Sequence, residues 1–552
     1  MVVVGVSLST LTAFWIRVCI GLRGGIWRDE GLFLSIVRMP TWGEVIDFLR
    51  FHESHPPLFY ALVRVWLAIF GDSEQHALVV VALIGALAVP AVYFVGRELF
   101  SSKAAVAASC LVVFSPVLTE YSAEVRPYSF LTLGVLASSF ALVRALHGGR
   151  TVAWAAYVVT AVVLIYTHNW SWLVLGAQFV VSLILIGRAR ATRNSLLIKG
   201  SISAAAIIIL FAPWLSTLAY QAGNAGHAAL SLSGLSSYVQ FVAFSLILVL
   251  QSTVLAAISD DSRWLLLAAI MISALICWFV TRRLHRTSRP TDAESVIKLP
   301  RSDLTNTATI VFLSVPAGAF IGAILLSQRS HLMLASCLSI LAPLLILVLC
   351  DALMRLWTVA VAESDKRVVA GVVMASSVLL GTYAAGIHTL AINDRSNARD
   401  FATLIARQTE ATDLIVIMPE WLASSFNYYY KPSNQQIDYP NEARELAVDF
   451  PGMWKRIADS SSLVRVNNRL REARLERRRV WLVSEPYNLR PLNPRELGKA
   501  GTSQRGRLIL NLRIGQVRST LLSLYGEPDV VTSPGEDKPR YEELVALLFS
   551  PR

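Results

Sequence analysis

The sequence predicts a polytopic α-helical membrane protein carrying an α/β domain at its C-terminal end. Three observations predict it. Of 552 residues, 54% are hydrophobic and the mean hydropathy is +0.53, more apolar than a soluble chain of this length. Apolar runs of spanning length alternate with short loops rich in Arg and Lys, the pattern of a multi-span bundle. After Leu390 the composition turns polar and charged, and no spanning run follows.

The first run, Val2 to Ile20, is long enough to cross a bilayer. It lacks a basic leading segment and a small-residue cleavage site, so it reads as a retained span. Gly31 to Phe51 is mixed and aromatic and reads as short helices at the interface, where Trp42 and Phe48 are suited. Leu58 to Phe70 is too short to span comfortably and reads as interfacial or re-entrant. Further apolar runs are 77–95, 104–118, 128–146, 152–166, 170–186, 201–218, 264–280, 307–326, 332–349 and 368–390. With the first, these make about eleven spans. The run 236–258, with Gln240 and Gln251, is laid on the surface.

Loop charge sets the orientation. With a cytoplasmic N-terminus and neither ambiguous helix crossing, one side receives the clusters around Arg97, Arg144, Arg188, Arg282 and Arg355. That side is the cytoplasm. The other face collects Asp29, Glu30, Glu53, His55, Glu120, Glu124, Arg126, His168, Arg329 and His331. Acids placed beside hydrocarbon are costly and tend to serve function; the plainer alternative is that each only marks a helix end.

Residues 1–392 therefore form a transmembrane domain, and 393–552 a soluble extracytoplasmic α/β domain of about 160 residues, enough for its own core. Within it, 413–418 and 480–484 read as buried strands, and 398–409 and 465–478 as helices. The arginine-rich run 469–479 reads as a solvated helix face, with anionic lipid or glycan binding as the alternative.

The formal charge is +12 and the sequence pI is near 9.6. Most of the arginines fall in inter-span loops or the C-terminal part, and no basic stripe with interleaved aromatics forms a nucleic-acid surface. Cys19, Cys110, Cys277, Cys337 and Cys350 all lie in apolar runs without ligand spacing, so neither disulfides nor a cysteine metal site is expected. His52, Glu53 and His55 lack the H-E-x-x-H spacing, and Pro56-Pro57 prevents a helix from presenting them to a metal.

Five stretches carry a family pattern: Leu22–Ser35 with Trp27-Arg28-Asp29-Glu30-Gly31; Glu53-Ser54-His55-Pro56-Pro57-Leu58-Phe59-Tyr60; Tyr121-Ser122-Ala123-Glu124-Val125-Arg126-Pro127-Tyr128; Tyr166-Thr167-His168-Asn169; and Phe211-Ala212-Pro213-Trp214. In order, spacing and loop placement the chain resembles the GT-C membrane glycosyltransferases, in their protein-mannosyltransferase and aminoarabinose-transferase branch. The match covers the membrane half; the C-terminal half matches by size and position only. Two departures stand out. Arg329 is followed by Ser330 and His331, where the family often has Tyr. His55 stands where the aminoarabinose transferases carry Lys, which argues against aminoarabinose transfer to lipid A.

The resemblance implies a bacterial plasma-membrane enzyme with a GT-C-like fold and an outward-facing site. It implies transfer of a sugar from a polyprenyl-phosphate donor, whose tail lies in membrane lipid, to a hydroxyl of a glycan, lipid or protein. Such a displacement needs a base, cations for the departing phosphate and an aligned anomeric carbon. Asp29 is the expected base. Glu30, Glu53, Glu124 and Tyr128 are expected to contact substrate, and His55, Arg126, His168 and Arg329 the phosphate or sugar, the arginines through forked donors. The plainer alternatives are a structural partner for Arg28 or backbone (Glu30), an interfacial helix N-terminus (Glu53), a salt bridge to Glu124 or Glu120 (Arg126) and helix-end anchors (His168, Arg329). No cofactor is required, and a divalent cation near Asp29 is allowed but not demanded. A transporter or flippase of lipid-linked saccharides is the alternative function; the one-sided polar groups, the lack of an internal repeat and the large soluble domain favour a transferase. A non-catalytic envelope scaffold is a third reading, opposed by the intact Asp29 and His55 motifs.

Overall fold

In the computed structural model a helical membrane part is joined to a mixed α/β domain. The structure describes residues 2–53, 55–224, 303–327, 339–441, 447–489, 502–532 and 539–551. Arg329 and the runs 236–258 and 264–280 lie outside the described residues, as does the first part of 332–349.

The first run forms α1 (Val2–Gly21). The aromatic stretch after it gives two short helices, α2 (Arg28–Val37) and α3 (Trp42–Phe51). The α3 helix starts where Thr41 Oγ1 accepts from the Glu44 N–H, an ordinary N-cap. Next come α4 (Leu58–Phe70), α5 (Glu74–Ala86) and α6 (Ala88–Leu99). The run expected over 104–118 is broken: α7 (Ser102–Val113) and α8 (Pro116–Ser122) meet at 55°. Pro116 explains the break, since it cannot donate to the preceding turn, and Ser115 caps the new helix through the Leu118 N–H. At the break the Val112 carbonyl accepts from Arg17, which is buried in α1.

The bundle continues with α9 (Tyr128–Gly148), α10 (Thr151–Thr167), α11 (Ser171–Arg188), α12 (Arg193–Asn224), α13 (Asp303–Ser327), α14 (Ala342–Ala362) and α15 (Lys366–Ile392). The sequence reading ends one run at Leu349, before Asp351. The helix instead runs on, because Asp351 pairs with Arg355 one turn later at 2.8 Å. Small residues let helices close up: a Cβ on Gly96 of α6 would lie 2.9 Å from the Ala105 Cα of α7 and 2.8 Å from Leu347 of α14. Among the described residues seven helices are long and apolar enough to cross a membrane, or eight if the bent pair is one span.

Beyond Ile392 a five-stranded sheet forms in the order β2-β1-β3-β5-β4, with β1 (Leu414–Ile417), β2 (Gln435–Asp438), β3 (Val480–Ser484), β4 (Asp529–Thr532) and β5 (Val545–Phe549). The first three strands pair in parallel, and β5 runs antiparallel to both β3 and β4. The central strands β1 and β3 are buried along their whole length, as parallel strands covered on both faces must be. Around them lie α16 (Ala398–Gln408), α17 (Ala423–Tyr429), α18 (Phe450–Ala458), α19 (Ser460–Leu475) and α20 (Thr502–Tyr525). Of these, α17 packs on α2 and so brings the sheet domain onto the candidate site.

Candidate active site

Asp29 sits in the first turn of α2, with its carboxylate accepting from Arg28 Nε at 2.9 Å. It keeps 29% of its side-chain surface exposed. Burial works against its charge, but Arg28 and Arg126 outweigh that and hold the carboxyl below its ordinary range, with Glu53 opposing them. Asp29 is thus an ionised, acceptor-only group at neutral pH.

Arg126 comes from the loop between α8 and α9. Burial disfavours its charge, yet Tyr128, Asp29, Tyr60 and Glu53 raise its pKa. The phenols are neutral at pH 7, so the two carboxylates carry the effect there. Its Nε finds no partner among the described residues.

Between α3 and α4, Glu53 accepts from His55 Nδ1 at 2.7 Å, and both side chains are largely enclosed. The His55 ring meets the His168 ring edge-on at 4.6 Å, and Tyr128 lies 6.3 Å from the same ring. His168 ends α10, where its Nδ1 accepts from the Trp170 N–H at 3.0 Å. Burial first, then His55 and Arg126, push its pKa well below the ordinary value, so it is neutral. With Nδ1 accepting, its proton lies on Nε2. Asp29, Glu53, His55, Arg126, Tyr128 and His168 therefore form one cluster.

Glu30 and Glu124 lie apart from it. Glu30 is fully buried: Oε1 accepts from Arg395 Nη1 at 2.8 Å and from the Val125 N–H at 2.7 Å, while Oε2 accepts from the Trp27 N–H. The geometry is that of the structural alternative for Glu30, with Arg395 as partner rather than Arg28. Arg395 also bonds the carbonyls of Ala123, Gly21 and Gly25. Glu124 faces Glu30, Glu120, Tyr541 and Arg395, and burial followed by the nearby Glu30 and Glu120 pushes its carboxyl up to about 8. Arg126 thus looks toward Asp29 and Glu53, while Glu120 is paired with Arg540 at 2.9 Å. His52, outside the cluster, bonds Asp449 at 3.0 Å. Among the described residues no three His, Cys, Asp or Glu side chains are grouped to hold a metal ion.

Sequence reasoning did not assign Tyr60, although it falls in a matching motif, nor Arg395, Tyr541 and Glu542. Those last three carry no local signal; only the fold brings them to α2.

Residues 54–216 match the family model described as dolichyl-phosphate-mannose-protein mannosyltransferase. The matched region holds His55, Glu124, Arg126, Tyr128 and His168; Asp29 and the sheet domain fall outside it. A search of the curated proteins finds no match. Two solved structures share the fold over nearly their whole length. ArnT from Cupriavidus metallidurans bound to undecaprenyl phosphate is 13% identical with a TM-score of 0.54, covering 99% of this chain and 97% of its own. ArnT from the same organism in the apo state is 14% identical with a TM-score of 0.55 and the same coverage.

Proposed function

We propose that this chain, a membrane glycosyltransferase of the GT-C kind related to the protein mannosyltransferases, transfers a sugar from a polyprenyl-phosphate donor to an acceptor hydroxyl. The observation that carries the proposal is the convergence of an ionised Asp29 with Arg126, the Glu53–His55 pair and a neutral His168. The likeness to a fold solved with undecaprenyl phosphate supports a lipid-linked donor.

In the proposed reaction the acceptor O–H gives its proton to Asp29 as its oxygen bonds the anomeric carbon. The bond from that carbon to the phosphate oxygen breaks, and polyprenyl phosphate leaves with the electron pair. A single displacement inverts the anomeric centre. Arg126, through an Nε with no partner among the described residues, and His168, through Nε2–H, donate in this reading to the phosphate oxygens as charge builds on them. With Nδ1 donating to Glu53, the Nε2 of His55 accepts from a sugar hydroxyl when the ring is neutral and donates to the phosphate only when the ring carries both protons. Tyr128 closes the wall beside His168. No step calls for a cofactor. In this reading the site faces the extracytoplasmic side, by the loop-charge argument, of what the family resemblance implies is a bacterial plasma membrane, and the acceptor is a glycan, a lipid or a protein.

The test is transfer by purified protein, using labelled polyprenyl-phosphate sugars with membrane extract as acceptor source. Mass spectrometry of envelope glycans and glycoproteins from cells with and without the protein runs beside it. Expected is a labelled product in vitro and loss of one sugar in the deficient cells. No transfer from any polyprenyl-phosphate sugar, with unchanged envelope glycans, would refute the proposal.

A further inference from the structure

The helix that presents Asp29 has an unusual start. Trp27 occupies the N-cap position of α2 and makes no side-chain cap, whereas caps are ordinarily Ser, Thr, Asp or Asn. The first-turn N–H groups must then be satisfied from elsewhere. Glu30 reaches back to the Trp27 N–H. The next N–H, of Arg28, is taken by Glu542 Oε2 at 3.2 Å, from a residue 514 positions away in the sheet domain.

Glu542 is itself firmly placed. It is buried, with Oε2 also accepting from Ser396 Oγ at 2.9 Å and Oε1 from Ser425 Oγ at 2.8 Å. Its backbone pairs with the segment entering α16, through a bridge to Ser396 and the Asn397 N–H donating to its carbonyl. The preceding residue, Tyr541, lays its ring against Trp27 at 4.9 Å. The only residue between the captured N–H and Asp29 is Arg28 itself, whose guanidinium bonds the Asp29 carboxylate.

We infer that Glu542 is a positioning residue for the transfer reaction: a cap supplied by the sheet domain that fixes the first turn of α2 and hence the aim of Asp29. A carboxyl side chain is well suited, since its oxygens accept from the N–H groups exposed at the N-terminus of a helix. Glu542 touches no reacting atom and acts through Arg28. The sheet domain is thereby part of the catalytic apparatus.

The kinetic arm rests on the transferase reading; the exchange arm does not. Glu542→Gln keeps an oxygen for the Arg28 N–H, Glu542→Asp withdraws it by one methylene, and Glu542→Ala removes it. Turnover with labelled donor should fall about tenfold in Glu542→Asp and about a hundredfold in Glu542→Ala, the scale of a misplacement near 1 Å. Donor KM should stay within about threefold, and Glu542→Gln should retain most of the turnover. Amide hydrogen exchange of the peptide covering 27–34 should speed up in the same order. If Glu542→Ala does not fold, Glu542→Asp, which keeps the carboxyl group, decides the matter. Folded Asp and Ala variants with wild-type turnover and unchanged exchange overturn the inference, as does a Gln variant as impaired as Ala. If the wild type transfers no sugar, the functional proposal fails separately, and unchanged exchange at 27–34 still refutes the cap.

Discussion

Asp29 is one of two adjacent acids, and the chemistry distinguishes them by environment. Glu30 is sealed under Arg395 and two backbone N–H groups, whereas Asp29 keeps an exposed edge and faces Arg126. The sequence separates them only by the rule that neighbours on a helix do not share a face, which the structure bears out for this pair. Asp29→Asn keeps the size of the side chain and removes the base. Turnover should drop by roughly two to four orders of magnitude, with donor binding nearly unchanged because the phosphate is held by other groups. Near-normal turnover in a folded variant would exclude Asp29 as the base. Arg126 answers a different question. Its Nε is unpaired among the described residues and its charge is favoured by Asp29 and Glu53. Truncation to Ala should cost on the order of 1.5–3 kcal/mol of donor phosphate binding, read as a rise in donor Kd of about tenfold to a hundredfold. An unchanged donor Kd would make Arg126 a purely structural cation. His55, Arg126 and His168 could be found from sequence because each lies in a motif at a helix end; Arg395 and Glu542 could not, because a lone charge in the sheet domain carries no mark of its distant partner.

At the scale of elements, the contact that matters is α2 against α17. Gly31 makes it close: a Cβ there would lie 2.5 Å from the Ser424 carbonyl oxygen and 2.9 Å from the Ser425 nitrogen. Both are backbone atoms, so neither can swing aside. Gly31→Ala gains about 1 kcal/mol of helix propensity but forces the two helices apart, at about 1–3 kcal/mol. The clash should win. A lower unfolding midpoint in detergent is expected, with transfer falling alongside because α2 carries Asp29. A midpoint at or above that of the wild type would mean that α17 yields freely. Elements were readable where the pattern was simple: β3 and α15 fall close to their apolar runs. Edge strands β2 and β4, with Gln435, Gln436 and Asp529, carry too little apolar pattern to be seen. β5 is a continuous apolar run of five residues, Val545–Phe549, that the sequence reading leaves unassigned. The break between α7 and α8 was signalled by Ser115-Pro116, yet hydropathy averaged across it.

Across the whole molecule, buried polar groups join the membrane part to the sheet domain alongside a continuous apolar core. Arg395 and Glu30 lie 365 positions apart and are both fully enclosed. Glu120 holds Arg540 and Tyr541, and Glu542 holds Ser396, Ser425 and the start of α2. Buried acids at this junction, Glu124 and Glu542 among them, make it sensitive to pH. Burial first, then Glu30 and Glu120, push Glu124 up to about 8, with Tyr541 and Arg395 opposing. Burial also raises Glu542 to about 7, against Ser425, Arg28 and Ser396. Both start from 4.5. The folded protein therefore keeps protons that the unfolded chain releases above that value. The stability linked to these groups is fully present below pH 4.5 and is lost as pH rises through about 7 and then about 8. At about 1.4 kcal/mol per pKa unit, the two raised values together correspond to roughly 8 kcal/mol, of which about half is lost above pH 6. The unfolding midpoint in detergent should accordingly fall between pH 6 and pH 9. Glu124→Gln, which imitates the protonated acid, should flatten the upper part of that decline, between about pH 7 and pH 9. A midpoint that rises over this range, or a Glu124→Gln profile parallel to the wild type, would mean that Glu124 ionises freely in the folded protein and that water reaches the junction.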